Sequence, residues 1–80
     1  MNMLFLMKNE PHSLWMKNCI IPLDIIYIND NKITKIHHNC KPCMSDDCEH
    51  YEGFGDMILE LPGGSCKKYQ IREGNDITLF

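Results

Sequence analysis

The sequence predicts a small, mainly β domain, a β-barrel or β-sandwich with one short helix near residues 65–70. Several segments alternate apolar and polar residues, which is the period of a half-buried strand. Clusters of Gly, Pro, Asn and Asp separate these segments at short intervals, as in all-β domains. Leu, Ile and Phe supply 20 of the 80 residues, a quarter of the chain, so a folded core is expected. A chain of 80 residues has no room for a second domain, so residues 1–80 are interpreted as a single domain.

Three strands are predicted in the first third of the chain. Residues 3–7 form a short apolar run that ends in polar residues just before Pro11. Residues 14–19 alternate between two faces. Residues 23–28 are apolar on both faces, so this segment is expected to be the central strand of the sheet.

A hairpin and a long loop are predicted next. The Asn-Asp-Asn cluster at residues 29–31 is typical of a tight turn, and residues 32–38 return as the second strand of the hairpin. Residues 39–55 contain two glycines and a proline and are predicted to be a loop. A loop of that length in a compact domain is either functional or held down by specific interactions.

The last quarter of the chain is predicted to hold a strand, the helix and a final strand. Residues 56–61 alternate again, and the Pro-Gly-Gly sequence at 62–64 predicts a turn. Ser65 can cap a short helix over residues 66–70. Residues 77–80 are predicted to form the last strand.

Charge and hydropathy limit the classes of partner. The net charge of −3 and the isoelectric point near 5.7 argue against a nucleic-acid-binding face. No apolar run approaches the roughly 20 residues that span a bilayer, so no membrane partner is expected. The first residues lack the basic start and the cleavage site of a signal peptide. A soluble, cytoplasmic protein is therefore the default expectation.

Several motifs occur in an order that is characteristic of one family. They are MLF at residues 3–5, WMKN at 15–18, IPLDIIYI at 21–28, PC followed by a second Cys within 42–48, ILEL at 58–61, GG at 63–64 and IREGND at 71–76. In these motifs the chain resembles domain-of-unknown-function family 192 over nearly its full length. The resemblance implies a compact β-sandwich or barrel with a short helix, and no established biochemistry.

The chain departs from the family pattern at its start. Family members carry further residues, including a strand, before the MLF segment, and many of them are exported. Here Asn2 stands where the family has Gly, and Cys19 where it has Thr. A sheet that lacks one strand exposes an edge. We therefore expect either that a second copy or another chain covers the edge of the first strand, or that a smaller sheet tolerates an open edge.

The polar residues of these motifs are the first candidate site: Trp15, Lys17, Asn18, Asp24 and Glu60. Asp24 shares a strand face with apolar residues, so it is expected to be partly buried and to need a partner, for which Lys17 is the nearest candidate. An aromatic wall with a few convergent polar groups is typical of a small-ligand site. The alternative is a structural hydrogen-bond network at the strand ends.

Two functions follow from this set. The leading hypothesis is a non-catalytic small-ligand-binding or accessory module that needs no cofactor. The alternative is a small hydrolase-like or lyase-like enzyme that uses Asp24 and Glu60, since burial can shift a carboxyl pKa toward neutrality.

The cysteines offer a third possibility. The spacing of Cys40, Cys43, Cys48 and His50 would suit a zinc-stabilised interaction module, although the last interval is short for zinc. The resemblance carries over only Cys43 and Cys48. A structural disulfide, free thiols and a redox-active pair all remain open for these two residues. Cys66 begins the predicted helix, where its pKa could be lowered, or it is a small buried apolar residue.

Overall fold

The structure is a computed structural model, and it describes residues 2–77. This part of the chain contains four antiparallel strands and one short helix. The strands are β1, Met3–Trp15; β2, Leu23–Asn29; β3, Lys32–Cys40; and β4, His50–Pro62. The helix, α1, is Ser65–Lys68. The strands form one sheet in the order β1-β4-β2-β3. The predicted mainly β class is confirmed, and within the described residues the sheet is not closed into a barrel.

The central strand is β2, as predicted. Every residue from Leu23 to Ile28 is buried, because the strand lies between β3 and β4 and both faces of the sheet are covered there. Alternate side chains enter two apolar clusters. The first cluster contains Leu23, Ile25, Tyr27, Met16, Cys40 and Ile58. The second contains Ile26, Ile28, Ile33, Ile36, Met57 and Cys66.

The first strand is longer than predicted. Residues 3–7 and residues 14 and 15 belong to one continuous strand, and the predicted second strand over 14–19 stops at Trp15. Pro11 does not end the strand, because β1 is an edge strand and tolerates a residue that has no N–H. The pairing of β1 with β4 is irregular between Leu6 and Glu10, and this irregularity accommodates Met7, Lys8 and Asn9.

The predicted loop over residues 39–55 is too long. β4 begins at His50, and its two glycines lie within the strand. A Cβ at Gly53 would overlap the ring of Tyr27, and one at Gly55 would overlap the backbone of Ile28. These glycines therefore permit close packing inside the sheet, whereas the sequence prediction treated them as loop residues.

The β2–β3 hairpin and the helix are confirmed. Asp30 and Asn31 both adopt positive φ, 51° and 62°, as a two-residue turn between antiparallel strands requires. Gly64, not Ser65, is the N-cap residue of the helix. Of the predicted last strand, residues 78–80 lie outside the described residues.

The segment after the helix runs beside β3. Three backbone hydrogen bonds attach it, from Ile33 N to Asn75 O (2.9 Å), from Gly74 N to Ile33 O (2.8 Å) and from Ile77 N to Asn31 O (2.7 Å). This segment covers part of the outer edge of β3. In the described part of the chain, no helix is long and apolar enough to span a membrane.

Candidate functional site

Asp24 is completely buried and holds three separate backbone segments. Its Oδ1 accepts hydrogen bonds from the amides of Asn39 (2.7 Å) and Gly64 (3.1 Å), and its Oδ2 accepts one from the amide of Cys66 (2.8 Å). Gly64 is the N-cap residue of α1 and Cys66 lies in its first turn, where backbone N–H groups have no partner within the helix. The Asp24 carboxylate thus takes the place of a local cap and ties the helix to β2.

The ionised form of Asp24 is the favoured one. Burial raises the pKa of this carboxyl group, but the hydrogen bonds from Cys66, Asn39 and Gly64 outweigh burial, so the pKa lies below its usual value. Burial, with the nearby Asp24 charge, raises the pKa of the Cys66 thiol to about 12. The suggestion that the helix start lowers the pKa of Cys66 is therefore wrong, and the thiol is a buried small side chain.

The three amides held by Asp24 belong to the wall of one cleft. This cleft has a volume of about 890 Å³ and lies between the end of β3, the Gly63–Gly64 turn, α1 and the segment 70–73. Asn39, Gly64 and Cys66 line it, and each of them donates its amide hydrogen to Asp24. Asp24 therefore determines the shape of the cleft from behind the wall.

The cleft combines apolar and charged side chains. Ile36 and Ile71 supply apolar surface, and Lys67 and Arg72 supply two positive charges. The one acidic residue of the lining, Glu73, accepts a hydrogen bond at Oε2 from the amide of Ile36 (3.0 Å). A concave surface with a few convergent polar groups is the usual form of a small-ligand site, and its charge balance favours an anionic ligand.

Three of the predicted site residues lie together elsewhere. Lys17 Nζ lies 5.4 Å from the centroid of the Trp15 ring and 2.7 Å from Asp46 Oδ1. The amide of Asn18 donates to the carbonyl of Cys43 (3.0 Å). Lys17 therefore pairs with Asp46, and the expected ion pair with Asp24 is wrong.

Glu60 lies on the opposite face of the sheet from Asp24. β2 and β4 pair so that Leu61 lies opposite Asp24 and Glu60 lies opposite Ile25. Side chains of successive residues point to opposite faces, so Asp24 faces the second cluster and Glu60 the first. Burial raises the pKa of Glu60. The catalytic hypothesis needs both carboxylates in one site, and the sheet separates them.

Cys43 and Cys48 form a disulfide, with their Cα atoms 5.8 Å apart. This pairing removes two of the four ligands that a zinc site at Cys40, Cys43, Cys48 and His50 would use. Cys40 is buried, with its Sγ 3.5 Å from the carbonyl oxygen of His37. Across residues 2–77, no group of three or more His, Cys, Asp or Glu side chains is placed to hold a metal ion. The zinc hypothesis is not supported by this arrangement.

Removing the disulfide is expected to lower the free energy of unfolding by about 2 kcal/mol, the chain-entropy value for so short a loop. The comparison is between the wild type and a Cys43→Ser, Cys48→Ser variant in denaturant titrations with and without a reductant. Reductant should destabilise the wild type and leave the double variant unchanged. Cys19→Ser, which removes a half-buried free thiol, is the matched control and should keep the wild-type response. Equal stability of the wild type and the double variant without reductant would contradict the prediction.

The cleft residues Lys67, Arg72 and Glu73 were not predicted as site residues. They lie on a short helix and an irregular segment, where no periodicity marks a functional side chain. The IREGND motif at residues 71–76 was the available signal, since it contains two of them. Asp24 is buried, as expected, but its role as an anchor for backbone amides depends on residues 15 to 42 positions away.

The fold and the cleft define a class, a small mainly β domain whose central strand anchors a helix through a buried carboxylate. The chain also matches the model of domain-of-unknown-function family 192, described as an uncharacterized ACR, over residues 1–79. The chain belongs to this family. No curated protein matches it.

Two solved structures are similar to it. A protein of unknown function from Novosphingobium aromaticivorans DSM 12444 is 29% identical, with a TM-score of 0.85; the match covers 98% of this chain and 56% of that one. A protein from Sinorhizobium meliloti 1021, described provisionally as a transcription regulator, is 32% identical, with a TM-score of 0.79; the match covers 94% of this chain and 59% of that one. The chain thus spans somewhat more than half the length of these two proteins.

Proposed function

We propose that this domain is a non-catalytic binding module that holds a small anionic ligand in the cleft beside α1. The observation that carries the proposal is the use of a buried carboxylate to hold three lining residues, Asn39, Gly64 and Cys66. A charged group without a cation partner is costly to bury, and this buried carboxylate lies where its hydrogen bonds set the shape of a cleft. In this proposal Asp24 is a positioning residue, and Lys67 and Arg72 contact the ligand.

The charge of the cleft supports an anion. The protein carries a net charge of −3, yet the lining has two basic side chains, Lys67 and Arg72, and one carboxylate that is already hydrogen-bonded. A carboxylate or phosphate group of a ligand would form charge-assisted hydrogen bonds with Lys67 and Arg72. The apolar part of the ligand would lie against Ile36 and Ile71.

The proposal predicts saturable binding of small anions at this cleft. Citrate and inorganic phosphate are titrated into ¹⁵N-labelled protein, and the amide resonances of Gly63, Gly64 and Cys66 are followed. We expect these amides to shift with a common saturation curve for at least one probe. Arg72→Gln should raise the dissociation constant of that probe by about tenfold. This corresponds to the loss of roughly 1.4 kcal/mol from one charge-assisted contact.

Lys41→Gln is the matched control, because Lys41 is equally cationic and exposed but does not line the cleft. It should leave the affinity unchanged. Two results contradict the proposal: non-saturable shifts with both probes, or equal weakening by Arg72→Gln and Lys41→Gln.

A further inference from the structure

The start of β1 exposes a continuous apolar strip. The relative exposures of Met3, Leu4, Phe5 and Leu6 are 45%, 42%, 40% and 77%. Successive residues of a strand point to opposite faces, so the strip is apolar on both faces of the sheet. A partner that docked on one face would cover only half of it. A strand added beside β1 would cover both faces and would also pair with its backbone.

The two edges of the sheet differ in how they are covered. Residues 74–77 cover part of the β3 edge through backbone hydrogen bonds. Within residues 2–77, Met3–Leu6 pair with β4 on one side only. Charged side chains commonly keep an edge strand from pairing with another strand. Residues 2–7 contain none.

The sequence of this edge is the same in both directions. Residues 3–7 read Met-Leu-Phe-Leu-Met, with Phe5 at the centre. A two-fold axis perpendicular to the sheet places two copies of a strand antiparallel and keeps each face of the sheet continuous. With the axis through Phe5, Met3 of each copy lies opposite Met7 of the other, Leu4 opposite Leu6, and Phe5 opposite Phe5. Each of these cross-strand pairs is apolar, and its two side chains lie on one face of the sheet. The Leu4–Leu6 and Phe5–Phe5 pairs lie in the regular part of β1, and Met7 borders the irregularity that follows Leu6.

We propose that two copies of this chain associate through their β1 edges, antiparallel and centred on Phe5, to form a continuous eight-stranded sheet. The next pair in this register, Lys8 with Asn2 of the second copy, brings no like charges together. The interface is isologous, since the same strip serves both copies, and the association closes at two chains. The self-complementary register favours a second copy over an unrelated strand.

Sedimentation velocity over a wide range of protein concentration tests this proposal. The wild type is expected to be a monomer–dimer system with no larger species. The variant Leu4→Lys, Leu6→Lys places two pairs of like charges opposite each other across the axis. We expect it to raise the dissociation constant by about a hundredfold, since like charges at a paired site are strongly unfavourable.

Charge complementarity provides the decisive comparison. Leu4→Lys, Leu6→Glu introduces two charges at the same two positions, but the Phe5-centred register then places Lys opposite Glu at both of them. This variant should dimerise more strongly than the double-lysine variant. A mixture of the double-lysine variant with Leu4→Glu, Leu6→Glu should form a heterodimer.

Leu4 is 42% exposed and Leu6 is 77% exposed. Circular dichroism and the unfolding midpoint show whether each variant is folded. A wild type that remains monomeric at the highest concentration overturns the proposal. That is the result expected if a strand of another protein pairs with this edge. A dimer that is insensitive to these charges, or growth beyond two chains, also overturns it.

Discussion

Replacing Asp24 with alanine is expected to lower the free energy of unfolding by about 3 kcal/mol or more. The substitution leaves the amides of Asn39, Gly64 and Cys66 without an acceptor, and each unsatisfied buried donor costs roughly 1–3 kcal/mol. Asp24→Asn keeps one acceptor oxygen but turns an amide NH₂ toward donors. Its free energy of unfolding should therefore lie between those of the alanine variant and the wild type. Denaturant unfolding at neutral pH measures both variants.

The same carboxylate predicts how stability depends on pH. The pKa of Asp24 is lower in the folded protein than its ordinary value near 3.8. Its contribution is therefore complete above about pH 4, the unfolded-state range, and is lost as the pH falls through the lower folded-state pKa. Asp24→Asn removes this contribution, so its stability should fall less steeply on acidification than that of the wild type.

Glu60→Gln is the matched control, because it makes the same chemical change on the opposite face of the sheet. Burial raises the pKa of Glu60, so its charge opposes folding above the unfolded-state pKa. We expect Glu60→Gln to be as stable as the wild type at neutral pH, or slightly more stable. An Asp24→Asn variant as stable as Glu60→Gln would show that the anchor role of Asp24 is wrong.

Gly55→Ala is expected to have a comparable effect for a steric reason. The added Cβ would overlap the backbone of Ile28, which lies in the central strand and has neighbours on both sides. A flexible side chain could move away, but a paired backbone cannot without breaking hydrogen bonds. Overpacking in a core typically costs 1–3 kcal/mol, and we expect about 3 kcal/mol here because the neighbour is backbone.

Gly74→Ala separates this steric effect from the general cost of replacing glycine. Gly74 has open space around it but a φ of 88°, so alanine there is strained in its backbone alone. We expect a loss of about 1 kcal/mol. Denaturant titrations compare both variants with the wild type. Gly55→Ala proving no less stable than Gly74→Ala would contradict the packing found around Gly55.

Individual elements show why some predictions succeeded. β2 was predicted correctly because a short segment that is apolar on both faces is typical of a central strand. The turn at Asp30 and Asn31 was predicted correctly because these residue types favour the positive φ that a two-residue turn requires. β1 and β4 were predicted too short, because Pro11, Gly53 and Gly55 are loop signals in isolation. Their roles depend on neighbours that the sequence does not identify.

The sequence by itself therefore determined the mainly β class, the central strand, the helix position and Asp24 as an unusual buried charge. Only the tertiary structure decided what Asp24 does and which residues share a site with it. A one-residue difference in strand register moves a side chain to the other face, so the pairing of β2 with β4 separates Asp24 from Glu60. The cleft is built from segments far apart in the chain, and their convergence is a property of strand order and packing, which local patterns do not encode.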